Sequence, residues 1–276
     1  MLTDAATLQR NLDQHEVILV DCRYRLEDGS AGRRAYHRGH IPGAYYLSLA
    51  ENLAGPGASI DGRHPLPQPE RFFELLRSLG ITERSRLVAY DDQGGLMAAR
   101  FWWLCRWVGH LQVELLNGGW QAWLAAGGEA SSEVSQRPRS DYVPGPFNNL
   151  TVSAAALKRE LAEGSVLLVD ARSVARFRGE EEPIDTVAGH IPGAVNRPAT
   201  QNLDAEGYFY EPARLRESWL SLLGDFQPDQ VVHSCGSGVT ACHNLFAMEL
   251  AGLAGSRLYA PSWSGWIADP DNPCEV

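Results

Sequence analysis

The chain has 276 residues, 44% hydrophobic and 21% charged, a globular composition with room for two domains of about 130 residues each. Asp and Glu outnumber Lys and Arg by 34 to 24 and no basic run occurs, which excludes nucleic acid and anionic membrane in favour of a small molecule or another protein as partner. The five cysteines lack a C-x-x-C pair, so disulfide frameworks and zinc knuckles are excluded; no apolar stretch approaches the roughly 20 residues of a membrane span, and the acidic start Met1-Leu2-Thr3-Asp4 lacks the marks of a signal peptide, which makes the cytoplasm the expected compartment.

In chain order, Val17-Ile18-Leu19-Val20-Asp21-Cys22-Arg23 predicts a buried parallel strand stopped by an Asp, followed after a polar insert by the turn Gly39-His40-Ile41-Pro42-Gly43-Ala44. Arg86-Leu87-Val88-Ala89-Tyr90 predicts a second strand, which leads through Asp91-Asp92-Gln93-Gly94-Gly95 into a helix over 97–108. Residues 127–149 are dense in Gly, Ser and Pro and mark a linker. The pattern then returns: Val166-Leu167-Leu168-Val169-Asp170-Ala171-Arg172, then Gly189-His190-Ile191-Pro192-Gly193-Ala194, then Gln230-Val231-Val232-His233-Ser234 before a helix over 239–250. A period of about 150 residues means a duplicated domain, since solenoid repeats run to 20–50. The expected architecture is α/β, two similar domains, each a mostly parallel sheet flanked by helices, with domains at 1–130 and 151–276 and a linker at 131–150.

The halves differ most after the later strand. There the second half reads Cys235-Gly236-Ser237-Gly238-Val239-Thr240 and alone supplies a nucleophile. A cysteine at the carboxyl end of a parallel strand, followed by glycines and a helix start, lies where open α/β sheets bind ligands. Such a loop curls its N–H groups into a cup that stabilises a thiolate or the outer sulfur of a persulfide. Most free cysteines are small buried hydrophobes, and this is the reading for Cys22, Cys105 and Cys242. For His190, turn hydrogen bonding suffices, and the Trp102, Trp103 and Trp107 cluster reads as core and interface.

The two Asp-x-Arg…Gly-His-Ile-Pro-Gly-Ala segments, the Arg176-Phe177 pair, the Cys235 loop and Ser262-Trp263-x-x-Trp266 together resemble the tandem rhodanese family, over nearly the whole chain. The loop is similar to that of the 3-mercaptopyruvate sulfurtransferase branch. This resemblance implies a catalytic second domain, an inactive first one, no metal or organic cofactor, and a cycle in which a donor leaves sulfur on Cys235 and a thiol, thioredoxin or cyanide removes it. It also implies that His40 polarises Ser237 across the domain interface, with Asp28 near the place of an orienting acid, and that Arg176 faces the donor's carboxylate or sulfonate. On the residues alone, Ser237 serves equally as a helix cap or part of the cup. Gly236, Gly238, Val239 and Thr240 complete the donor site. The branch's second arginine is absent from Glu181-Glu182-Pro183-Ile184-Asp185-Thr186, where Arg178 is the nearest substitute.

Gly236 and Ser237 bring no full charge to the loop, which favours 3-mercaptopyruvate as donor over thiosulfate, a compact dianion. Two other classes compete. A cysteine phosphatase requires an arginine where Ala241 stands, and a non-enzymatic binding module has no use for an intact Cys loop. The protein is expected to act as a monomer.

Overall fold

Runs of Val, Leu and Ile closed by an Asp can be buried on both faces only inside a parallel sheet. In the computed structural model, which describes residues 1–12 and 14–276, two such sheets form. The first comprises β1 (Leu2–Thr3), β2 (Val17–Asp21), β3 (Tyr45–Tyr46), β4 (Arg86–Tyr90) and β5 (Val113–Leu116), in the order β1-β5-β4-β2-β3. The second comprises β6 (Leu167–Asp170), β7 (Val195–Asn196), β8 (Val231–Ser234) and β9 (Arg257–Leu258), in the order β7-β6-β8-β9. All strand pairings among the described residues are parallel. Asp91 follows β4 and Cys235 follows β8, so the two divergent loops leave equivalent central strands. The helices after them run over Ala98–Trp107 and Ala241–Leu250.

The chain divides into unit 1, Met1–Gly55, Leu66–Asn149 and Ala205–Tyr208, and unit 2, Pro56–Pro65, Leu150–Asp204 and Phe209–Val276. The expected linker is therefore part of unit 1. Its polar groups find partners there: Ser131 exchanges backbone hydrogen bonds with His40, Arg137 donates to the His15 and Val17 carbonyls, and the Ser140 hydroxyl donates to Ile81 O. Conversely, Pro56–Pro65 comes from the first repeat but belongs to unit 2. It packs on the Ser262–Trp266 helix so closely that a Cβ at Gly62 (φ +83°) would stand 2.5 Å from Pro261 O.

The duplicated motifs are scaffold. Asp21 holds Arg23 at 2.6 Å and Asp170 holds Arg172 at 2.7 Å, both pairs buried, and each guanidinium donates at 2.7 Å to the carbonyl before the Gly-His turn histidine, Gly39 O or Gly189 O. Each arginine also lies over an indole, Trp120 for Arg23 and Trp263 for Arg172. Removing one partner of such a buried pair costs about 3–5 kcal/mol. The turn histidines repeat the device. His40 stacks on Tyr36 and contacts its carbonyl through Nδ1 at 2.8 Å, while His190 stacks on Phe177 and does the same at 2.8 Å.

β8 carries a buried histidine, His233, near a buried arginine, Arg197. Arg197 is buried against Trp219 and contacts Ser218, Gln201 and Asn202. His233 is fully buried, and burial, then the Arg197 charge, pushes its pKa from 6.5 down to about 3. The unfolded chain therefore binds a proton that the native state refuses, so this histidine costs no stability above pH 6.5 and costs progressively more as pH falls toward 3. His233→Leu should flatten the stability–pH slope between pH 6.5 and 5 by up to about 1.4 kcal/mol per pH unit. Urea midpoints measured across that range check this; parallel slopes for the two proteins would contradict it.

Candidate active site

The site starts where β8 ends. Cys235 is buried, at 2% exposure, and Gly238 donates its backbone N–H to Sγ at 3.1 Å. Gly238 has φ +74°, and a Cβ there would lie 2.3 Å from Ala260 O, so only glycine permits the curl. Gly236 and Ser237 lie between these two residues, Val239 is buried, and the half-buried Thr240 precedes the helix Ala241–Leu250.

The Ser262–Trp266 helix holds this loop from behind. The Cys235 N–H donates to Ser262 Oγ at 3.1 Å, Ser262 Oγ donates to Tyr259 O, and the Trp263 and Ser264 N–H groups donate to Cys235 O and Gly236 O. Ser262 sits at φ +52°, a left-handed conformation that costs a non-glycine residue about 1–2 kcal/mol. That cost is offset by the hydroxyl's two bonds. The Ser262-Trp263-x-x-Trp266 motif marks this serine by its place in the sequence, and its task is seen only in the fold.

Unit 1 shows what such a loop does when no cysteine is present. Asp91 occupies the equivalent position, fully buried, and accepts four backbone N–H bonds of 2.7–2.9 Å, from Gln93, Gly95, Met97 and Ala98. Burial raises the carboxyl's pKa while those four donors oppose the rise. The loop is thus an anion cup, filled from within. By the register of the repeat, its donors correspond to Ser237, Val239, Ala241 and Cys242, of which Cys242 donates instead to Val239 O, while the donor to Cys235 Sγ is Gly238.

Two expectations about Ser237 need correction. Its oxygen pairs with His64 Nδ1 at 2.8 Å, inside unit 2. Both ring nitrogens of His40 are taken within unit 1, by Tyr36 O at 2.8 Å and Glu133 O at 2.9 Å, so His40 serves its own turn, as the symmetry with His190 requires. Asp28 orients no histidine: it is exposed and pairs with Arg34 and Ser30, the Arg34 bond lowering its pKa first of all. His64 has no counterpart in the second repeat; its only sequence signal is an Arg-His pair set among glycine and prolines.

Arg176, at the end of the short helix Val174–Phe177, faces the loop, and Arg63 joins it there. A Cβ built on Gly236 would stand 3.2 Å from Arg63 Nη2 and 3.5 Å from both terminal nitrogens of Arg176. Arg63 pairs with Asp185, and Arg176 with Glu182 at 2.7 Å and Asp185 at 3.1 Å. Arg178 is exposed with Glu180 3.7 Å away, outside this cluster. Burial pushes the Glu182 carboxyl up, but the Asp185 and Ile184 N–H groups and Arg176 more than compensate, leaving it below its usual value. Cys22 and Cys105 are buried thiols whose pKa burial drives far up, inert in keeping with their packing role.

If the Ser262 hydroxyl positions the nucleophile, Ser262→Ala should lose both bonds and keep the strain, whereas Ser262→Gly loses the bonds but relieves it. The glycine variant should be the more stable of the two by about 1 kcal/mol, and both should alkylate at Cys235 with iodoacetamide at rates unlike the parent's. Equal stability of the variants, or unchanged alkylation, would contradict this role.

Comparison with known proteins agrees with the geometry. Residues 4–126 and 153–269 match the rhodanese-like domain. A Pseudomonas aeruginosa protein named "Probable 3-mercaptopyruvate sulfurtransferase" is 46% identical over 275 residues, 99% of this chain and 96% of that one. The human 3-mercaptopyruvate sulfurtransferase is 35% identical over 253 residues, 90% and 84% of the two chains. Mouse thiosulfate sulfurtransferase is 33% identical over 258 residues, again 90% and 84%. The solved 3-mercaptopyruvate sulfurtransferase from Leishmania major superposes with a TM-score of 0.85 at 28% identity, covering 98% of this chain and 75% of that one. The chain belongs to the rhodanese family, as a sulfurtransferase built from two rhodanese-like domains.

Proposed function

We propose that the protein takes sulfur from 3-mercaptopyruvate onto Cys235 and passes it to a thiol acceptor. The observation that carries this reading is Asp91 in its cup. A cysteine persulfide is Cβ–Sγ–Sδ and an aspartate is Cβ–Cγ–Oδ, so both place an anionic atom two bonds from Cβ. Where the first loop uses four N–H donors on a fixed carboxylate, the second has a cysteine that acquires its outer anion from a donor.

In the loading step the Cys235 thiolate attacks the donor sulfur, a sulfur–sulfur bond forms, and the carbon–sulfur bond breaks with its electron pair left on carbon as pyruvate enolate. The donor's thiol proton, released as the outer sulfur becomes the persulfide anion, is relayed through the Ser237 hydroxyl and His64 to the enolate carbon, which gives pyruvate and leaves Ser237 protonated. In the second step an acceptor thiolate attacks the outer sulfur and Cys235 leaves as thiolate. Cyanide and thioredoxin are acceptors of the same chemistry. Free cysteines, four of them buried, suit a reducing compartment such as the cytoplasm; no helix among the described residues is long and apolar enough to cross a membrane.

One observation favours thiosulfate: Arg63 and Arg176 bring cationic groups to Gly236 that the loop sequence lacks. In the resting protein Glu182 and Asp185 balance them, two carboxylates for two guanidiniums, and displacing Asp185 frees one net positive charge, which matches a single carboxylate better than a dianion. We expect kcat/KM to be higher for 3-mercaptopyruvate than for thiosulfate with one acceptor at one pH; equal or reversed values would overturn the donor assignment. Ser237→Ala and His64→Asn should each slow loading from mercaptopyruvate by roughly ten- to a thousandfold, with the double variant little worse than either, while His40→Asn destabilises unit 1 without this coupling. Additive losses would separate Ser237 from His64.

A further inference from the structure

Two arginines face the nucleophile loop, yet both already hold carboxylates of the protein. Glu182 is a fixed partner, because the Ile184 and Asp185 N–H groups donate to its Oε1 at 3.1 and 3.0 Å while Arg176 binds through Nε and Nη2. Asp185 is held differently. Its Oδ1 is taken by Arg63 and its Oδ2 by Arg176 at 3.1 Å, so a single carboxylate bridges the two guanidinium groups that stand over Gly236. Its side chain is 4% exposed, and burial raises its pKa against the pull of the arginines. A cavity of about 370 Å³ opens beside Arg63 and Asp185, lined also by Ile184, Thr186, Ser264 and Ile267, a volume within the range of small-molecule sites.

We propose that Asp185 is an internal stand-in for the carboxylate of a 2-oxo acid, and that Arg63 is the second donor-binding arginine: binding exchanges the protein's carboxylate for the donor's between Arg63 and Arg176. The proposal deepens the reading of 3-mercaptopyruvate as donor and rests on it. Arg63 thereby fills the role for which no arginine exists at 181–186. An anion held by two guanidinium forks is the arrangement that a free carboxylate also prefers. Because the site is occupied, a donor sees only the fraction of molecules in which Asp185 has released the arginines, and its apparent affinity is reduced by that fraction. Asp185 is in this sense a positioning residue that tunes affinity, while Arg63 contacts the donor.

Pyruvate is the probe, since it carries the same carboxylate and no sulfur. Its dissociation constant, measured by calorimetry on the full chain, should fall roughly three- to tenfold in Asp185→Asn and rise roughly tenfold or more in Arg63→Ala. Asp185→Asn should change pyruvate affinity less in the Arg63→Ala background than alone, because half of the contested clamp is gone. Asp185→Ala gives the same direction and serves if the Asn variant does not fold. For 3-mercaptopyruvate the same variants should move KM far more than kcat. Unchanged or weaker pyruvate binding in both Asp185 variants overturns the proposal. Tighter pyruvate binding in a protein that 3-mercaptopyruvate does not load would leave the exchange standing and sink the donor assignment instead.

Discussion

The structure depends on one interaction: several backbone N–H groups converging on an anion at the carboxyl end of a central parallel strand. Backbone donors in a buried loop must be satisfied, and an anion two bonds from Cβ satisfies four of them at once in the Asp91 loop. Gly95 and the start of the Ala98–Trp107 helix supply three of those donors, from Gly95, Met97 and Ala98. One copy is closed permanently by a carboxylate. The other is left for a cysteine whose outer sulfur comes and goes.

Holding such a loop in place requires rigid surroundings. The Asp–Arg–carbonyl–indole stacks at Arg23 and Arg172 fix the Gly-His turn in each half, and Ser262, in a strained backbone conformation, ties Cys235 to the helix behind it. Strain concentrated beside a reactive group, with the surroundings over-determining it, is common at functional sites. Charge is arranged with the same economy: two guanidiniums are brought to the loop, and two carboxylates balance them until a ligand competes.

Much of this was legible in the sequence. The repeat at Asp21–Arg23 and Asp170–Arg172, the buried runs before them and the contrast between Asp91 and Cys235 are local features, and local features carry strand, turn and loop identity. The division of labour between histidines was not legible. His40 and His64 both belong to the first repeat, and only the tertiary structure places Pro56–Pro65 in unit 2, next to Ser237. Arg63 lies in the same segment, far in sequence from 181–186, where the chain holds the carboxylate that meets it, Asp185. Residues 127–149 read as a linker by composition, but their carbonyl and guanidinium partners lie in unit 1 and nothing in a Pro- and Ser-rich stretch announces them.

On this reading Cys235 carries sulfur as a persulfide held in the cup that Asp91 fills in the other half. Mass spectrometry of the protein after treatment with 3-mercaptopyruvate and removal of excess donor tests it most directly. The account predicts a gain of one sulfur atom, mapped to the peptide containing Cys235, lost on addition of a thiol acceptor and absent from Cys235→Ser. A protein that turns over the donor without that adduct, or that carries it on another cysteine, would contradict it.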